Sequence, residues 1–287
     1  MTTPAIKVDN ISYAYGDIEA VGGISFEVDP GEILGFLGPN GAGKSTTIKI
    51  LTGQLTPKTG TAFILGVDVK RDDPVVQAQI GVCFEEKNLY QNMSAVENLA
   101  FFADLFGIKA FDAEALLRLV GLGDRAKDRV KHYSKGMQQR LMVARSLINT
   151  PKVLFLDEPT AGLDPVSSQA IRNIIKKEAE RGAAVLLTTH DMHEADELSD
   201  RVVFLNEGKI HAMDTPENLK LKHGKRAVRV RFREGEEVKE HLVALDQKSA
   251  GERLKEVVDT DGLMTIHTEE ATLENIFIQM TGRGLEG

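Results

Sequence analysis

"GPNGAGKST", residues Gly38-Pro39-Asn40-Gly41-Ala42-Gly43-Lys44-Ser45-Thr46, fills every position of the pattern G-x-x-x-x-G-K-[ST]. Before it runs "EILGFLG" (32–38), apolar on both faces, as a strand in a helix-covered parallel sheet should be. A helical pattern follows. Strand, glycine loop and helix in that order turn a pattern match into a phosphate site. The glycines let successive backbone N–H groups curl around two phosphates, and the helix N-terminus adds its positive end. All nine residues are therefore expected to line a bound nucleotide. Lys44 offers a point charge to the β- and γ-oxygens, and the Ser45 hydroxyl is placed to ligate Mg²⁺.

A second buried strand, "VLFLDEP" (153–159), ends in two acids. Asp157 is expected to hold Mg²⁺, and Glu158, one residue further at the exposed end, to act as general base or polariser of an attacking water. Ligands of parallel sheets bind at the carboxyl ends of the strands, which favours this reading over two merely solvated acids. His190 follows "AVLLTT" at another such end and is expected to meet the γ-phosphate or the water. His193 has no third ligand at metal spacing, so no zinc site is expected.

The remaining strands fit an α/β core: "IGVCF" (80–84), "AVLLTT" (184–189) and "RVVFLN" (201–206) are buried runs between helical patterns. "AIKVDN", "ISFEVDP" and "GKIHAM" alternate and predict an antiparallel flank. "SAVENLAFFADLFG" opens with a Ser94–Glu97 capping box, and "DPVSSQAIRNIIKK" with Asp164 as N-cap and Pro165 in the first turn. Near residue 215 the pattern becomes charge-rich. From there the sequence predicts a small α+β appendage: a strand at 226–232, a helix at about 236–245, a strand "LMTIHT" and a final amphipathic helix "ATLENIFIQMTG".

A formal net charge of −8 over 287 residues argues against a nucleic-acid binder that works through a basic face. The single cysteine, Cys83, excludes an internal disulfide and reads as a buried structural thiol. The N-terminus lacks the pattern of a signal peptide, and no apolar run reaches the roughly 18 residues a spanning helix needs. Any membrane role would require docking on another protein.

"YSKGMQQR" (133–140) poses a different question. Ser134 opens a helix, and the amides after it suit a γ-phosphate, yet the loop at 38–46 already encloses a nucleotide. The second start therefore reads as serving the nucleotide of a partner.

The order of motifs is specific: an aromatic in "YAYGD", the loop at 38, "YSKGMQ" at 133, "LFLDEP" at 154, "AGLD" at 161 and "TTH" at 188. This series resembles the nucleotide-binding subunit of ATP-binding cassette (ABC) transporters over about residues 5 to 220. Ser134, Lys135, Gly136 and Met137 then stand at the family signature usually written Ser-Gly-Gly-Gln, from which Lys135 and Met137 depart. The resemblance implies ATP and Mg²⁺ as cofactors, Tyr15 stacked on adenine, and Ser134, Gly136 and Met137 against the nucleotide of a second copy. It places Asp164 at the seam of a head-to-tail dimer, whose two half-sites make a closed pairing.

Glu85, in "GVCFEEKNLY", occupies a position where the family carries a glutamine. A carboxylate there becomes a candidate direct Mg²⁺ ligand, set against a harmless swap on a solvated loop. The implied architecture is an ABC ATPase domain at 1–220, with a P-loop NTPase core, an antiparallel β subdomain and a helical subdomain at about 94–147, then a C-terminal accessory domain at 221–287. The tail is similar to those of exporter subunits that work with a separate permease, and equally fits a regulatory or dimer-stabilising module. The expected protein is a cytoplasmic ATPase, peripheral on the inner face of the cell membrane through an integral membrane permease, with no nucleic acid as partner. The competing reading is a soluble ABC ATPase acting on DNA or ribosomes. Its members usually carry paired cassettes, coiled coils or zinc modules, which this sequence lacks.

Overall fold

The computed structural model describes residues 3–282 apart from 72, 225–226, 235–236, 246–248, 260–261 and 270. The chain runs β1 (Ile6–Tyr15), β2 (Ile18–Val28), β3 (Ile33–Leu37), α1 (Lys44–Leu51), β4 (Thr59–Ile64), β5 (Val67–Asp68), α2 (Pro74–Gln77) and β6 (Ile80–Cys83). It continues with α3 (Ala95–Leu105), α4 (Ala113–Leu119), α5 (Lys135–Ser146), β7 (Val153–Asp157), α6 (Pro165–Glu180), β8 (Ala184–Thr189), α7 (Met192–Leu198), β9 (Arg201–Asn206) and β10 (Lys209–Asp214). The tail adds α8 (Pro216–His223), β11 (Ala227–Glu234), β12 (Glu237–Ala244), α9 (Ala250–Val258), β13 (Leu263–Glu269) and α10 (Leu273–Thr281).

Six strands form the central sheet in the order β10-β9-β3-β8-β7-β6. The pairs β9/β3, β3/β8, β8/β7 and β7/β6 are parallel, so their carboxyl ends share one edge. β7 shows why these strands read as unbroken apolar runs. Leu154 and Leu156 pack into a core with α3, α4, α5 and α6, while Val153 and Phe155 pack into a second core with Phe36, Ile48 and Phe26. Burial on both faces leaves no alternation to see. A four-stranded antiparallel sheet, β2-β1-β4-β5, lies on the side of the second core.

Local signals set the helix starts. Ser94 accepts from Glu97 N while Glu97 bonds back to Ser94 N, a complete capping box. Asp164 accepts from Ser167 N, with Pro165 at the first helical position of α6.

Two expectations are corrected. "GKIHAM" does not join the antiparallel sheet: as β10 it forms the edge of the central sheet beside β9. Glu207 (φ 49°) and Gly208 (φ 74°) make a two-residue turn between them, and the exposed–half-buried alternation of β10 is that of an edge strand. The helix expected at about 236–245 is instead strand β12, paired with β11 residue for residue from Ala227↔Ala244 to Glu234↔Glu237. Its charges suggested a helix surface. Pairing overrides that propensity, because Val243 is buried opposite Val228 and Glu240 bridges Arg229 and Arg231 across the strands. The helix of this region lies later, at α9.

The chain divides into two compact units, Met1–Met213 and Asp214–Gly284. In the second, the three-stranded sheet β12-β11-β13 buries Val228, Val230, Phe232 and Val243, and α10 buries Leu273, Ile276 and Phe277. Among the described residues, no helix is long and apolar enough to cross a membrane.

Candidate active site

The glycine loop leaves β3 and enters α1 under tight constraint. A methyl on Gly38 would meet the Leu205 carbonyl at 2.1 Å, and one on Gly43 would meet that of Ala20 at 2.3 Å. Gly43 is also in the left-handed region, φ 104°, as N-cap of α1. Packing and backbone thus both demand glycine at these ends.

Lys44 is 6% exposed, and its Nζ donates to the carbonyls of Gly38 at 2.5 Å and Pro39 at 3.3 Å. Glu158 Oε1 lies 3.8 Å from the same nitrogen. Burial lowers the Lys44 pKa, against the pull of Glu158, Asp157 and Glu85. Burial raises that of Glu158, against His190 and Lys44. Both charged forms are thus disfavoured despite the pairing, which leaves room for a further charged group to settle the balance.

Glu158 itself is 8% exposed and takes φ 51°, uncommon for a side-chain-bearing residue and therefore held by its surroundings. Its N–H meets the Thr188 carbonyl at 3.1 Å, its carbonyl accepts from Gln139 Nε2 at 3.3 Å, and its Oε2 lies 2.9 Å from His190 Nδ1. Asp157, buried at the end of β7, accepts from Thr188 Oγ1 at 2.5 Å. Thr188 and Gln139 escaped sequence reasoning. A threonine pair before His190 was the available signal for the first, whereas Gln139 reaches Glu158 only through folding.

A hollow of about 420 Å³ opens here. It is lined by Pro39 to Thr46, Asp157, Glu158, Glu85 and Tyr15, together with Ile18, Glu19 and Ala20, which the sequence reading did not single out. Tyr15 is 46% exposed at its rim, edge-on to Tyr13 at 5.0 Å. Gly38 does not line it and joins the site through its carbonyl, which accepts from Lys44 Nζ, and His190 reaches the site through Glu158. A neighbouring hollow brings Glu85, Ser45 and Asp157 together again.

Among the described residues no cluster of three or more His, Cys, Asp or Glu side chains forms a metal cage. The oxygens of Ser45 and Asp157 instead suit Mg²⁺, which takes one or two protein oxygens and completes its shell with phosphate and water. Cys83, fully buried, has its thiol pushed up to about 12 by burial and stays neutral.

Ser134, Gly136, Met137 and Asp164 line none of this hollow. Ser134 is exposed at the N-cap of α5, accepting from Met137 N at 3.2 Å. A methyl on Gly136 would meet Leu163 at 3.2 Å, so the 158–164 segment abuts the start of α5. Asp164 is exposed, its carboxyl held below the usual range by Ser167. A larger hollow, about 670 Å³, lies in the second unit between α10 and residues of β11 and β12. It holds neither a glycine loop nor paired acids, so the chemistry points to the smaller one.

A glycine loop, two acids and a histidine at the carboxyl edge of a parallel sheet define a P-loop ATPase cassette. A family model described as "ABC transporter" matches residues 21–161. The chain is 44% identical to a fluoroquinolones export ATP-binding protein of Mycobacterium tuberculosis, over 99% of this chain and 95% of that protein. It is 35% identical to the Nod factor export ATP-binding protein I of Paraburkholderia xenovorans, over the full length of both. Among solved structures, an ATP-binding subunit of an ABC transporter matches with TM-score 0.70 and 31% identity, over 77% of this chain and 94% of that one. A dimeric ATP-binding cassette in a post-hydrolysis state with ADP and Pi matches with TM-score 0.68 and 26% identity, over 73% and 98%. The chain belongs to the ABC transporter family and is an ATP-binding, ATP-hydrolysing subunit.

Proposed function

We propose that the chain powers an exporter: two copies close head to tail around two ATP molecules and reopen after hydrolysis, driving an integral membrane permease. Lys44 and the backbone N–H groups of the loop, which Pro39 alone lacks, bind the phosphates, and Tyr15 covers the adenine. Ser45 and Asp157 would hold Mg²⁺, which would supply charge stabilisation to the phosphates, with Glu85 as a further oxygen beside them. Glu158 takes the proton of the attacking water, a task for which burial has raised its proton affinity. His190 fixes the Glu158 carboxylate through Nδ1. With Nδ1 turned to Glu158, Nε2 is the nitrogen left to meet the attacking water or the γ-phosphate.

The observation that carries this reading is the second anion-facing helix start. Ser134, Gly136 and Met137 stand outside the chain's own hollow, Ser134 exposed and the other two half-buried, so that Ser134 is available to the γ-phosphate held by another copy, with Asp164 at the seam. The export assignment draws support from relatives named as export ATP-binding proteins, which also count against a role on DNA or ribosomes. An exposed aromatic group, Tyr90 and Phe101 at 5.1 Å with Phe106 nearby in sequence, supports a protein partner beside the Glu85 loop. Such a subunit works in the cytoplasm on the inner membrane face.

Mixing Ser134→Arg with Lys44→Ala chains tests the pairing. Heterodimers contain one intact composite site and one doubly damaged site, so ATP-dependent dimerisation returns in the mixture while each variant alone lacks it. A mixture no better than either variant would reject action across the dimer.

A further inference from the structure

Glu158 holds a backbone conformation that its own sequence opposes. Pro159 follows it, and a residue before proline is pushed toward extended backbone. Its φ is nevertheless 51°, in the left-handed region that residues with a side chain avoid. At that backbone the carboxylate sits with Oε1 3.8 Å from Lys44 Nζ and Oε2 2.9 Å from His190 Nδ1. Such a conformation persists only where the surroundings over-determine it.

Both backbone groups of Glu158 are held twice. Its N–H meets the Thr188 carbonyl at 3.1 Å and the Thr188 hydroxyl at 3.2 Å. That hydroxyl has one proton, which goes to Asp157 Oδ1, and so a lone pair is left for Glu158. The Glu158 carbonyl accepts from Ala161 N at 3.2 Å, within the turn, and from Gln139 Nε2 at 3.3 Å, reaching over from α5. A carbonyl only accepts, so the Gln139 amide must face it with its nitrogen. Thr188 is fully buried and Gln139 is 3% exposed, so bulk water cannot stand in for either bond. Packing does not need them: β7 and β8 pair along their length, and α5 is held by Leu141, Met142 and Ala144 in the core.

We propose that Gln139 and Thr188 are positioning residues for hydrolysis: their side chains keep Glu158 in its left-handed turn, and so keep its carboxylate on the water it deprotonates. The consequence for turnover rests on the reading of Glu158 as base given above; the hold on its backbone does not. With one side chain removed, each backbone group of Glu158 keeps only its main-chain partner, and the residue relaxes toward the extended backbone that Pro159 favours. A displaced base costs rate rather than affinity. The grip on the phosphates lies with Lys44 and the glycine loop, outside both bonds.

The test uses the full chain. Gln139→Met keeps the shape and removes the donor. Its kcat is expected to fall about fivefold, with KM for ATP and the affinity for a fluorescent ATP analogue within about twofold, a split that general loosening of the site would not give. Thr188→Val should do the same, and Thr188→Ser, which restores the hydroxyl, should recover kcat to within about twofold of wild type. The decisive comparison is made in a Glu158→Gln background, by single-turnover release of labelled phosphate. Both substitutions are expected to be silent there, because they act only through that carboxylate. A wild-type kcat in Gln139→Met, or an equal fall in both backgrounds, overturns the role of Gln139. The same two results overturn that of Thr188, an equal fall assigning its hydroxyl to Asp157 instead. Glu158→Gln with near wild-type turnover is a separate failure: it rejects the base itself, and the positioning role falls with it.

Discussion

The helix starts of α1 and α5 both offer amides to an anion, but they differ in what surrounds them. At α1 the charges are already arranged inside one chain. Lys44 is buried against two loop carbonyls and Glu158, and Glu158 against His190. At α5 Ser134 is exposed and accepts from Met137 N in its own cap, while the first turn carries Lys135 and no acid, with Lys87 Nζ on the Lys135 carbonyl. Cations at the positive end of a helix are unfavourable, and burial, then Lys135, depress the Lys87 pKa. One start is balanced from within; the other is built as though an anion arrives from outside. Preorganised charge and deferred charge are two ways of making a phosphate site, and this chain uses one of each.

The largest effect that would break this contrast concerns the internal site. Glu158→Gln removes the base while keeping the shape and the bond to His190. Turnover is expected to fall by about 10²-fold or more, the scale of losing a general base, with ATP affinity retained. Measured turnover close to wild type would remove Glu158 from the chemistry and leave α1 a binding site only.

Sequence reading reached these two starts for the same reason it failed elsewhere. A glycine loop, two acids ending a strand and a serine before a helix are each encoded within a few consecutive residues, so local geometry announces them. "GKIHAM" and "EVKEHLVA" were misjudged because their partners decide them: β10 by its turn onto β9, β12 by its register with β11. The same limit hid Gln139, nineteen residues from the Glu158 carbonyl it supports, and the bonds from Lys87 and Arg145 that span the 84–90 loop and α5. Thr188, although adjacent to a legible motif, acts on Asp157 from a neighbouring strand.

A smaller effect sharpens the contrast at Glu85. It is exposed, yet lines the hollow with Ser45 and Asp157, so it adds negative charge that only a cation can offset. Titrating Mg²⁺ at fixed ATP, wild type is expected to lose about threefold more ATPase activity at low Mg²⁺ than Glu85→Gln, the scale of one charge contact near solvent. Superimposable titrations would mean that Glu85 does not touch the metal, and that the internal site is complete without it.

The smallest expected effect lies between the two starts, in the 158–164 segment that joins Glu158 to Leu163 beside Gly136. Thr160 in this segment donates to Glu194 Oε1 at 2.6 Å, while Glu194 is 1% exposed and its Oε2 has no hydrogen-bond partner among the described residues. Burial raises the Glu194 carboxyl above its ordinary 4.5, with Thr160 and Thr189 pulling it back and Asp191 and Glu158 adding to the rise. The folded chain therefore keeps this proton where the unfolded chain has released it. Its contribution to stability is full below about pH 4.5 and declines as pH climbs through the raised value, because the native state binds more protons across that window. Glu194→Gln stays neutral throughout and should lack the decline. Between pH 5 and 8, without nucleotide, the wild-type melting temperature is expected to fall relative to the variant by about 2–4 °C, the scale of one kcal/mol in a chain of this size. Parallel curves would show that Glu194 is ionised in the folded chain, and that the segment between the two starts is held by a charge rather than by a neutral hydrogen bond.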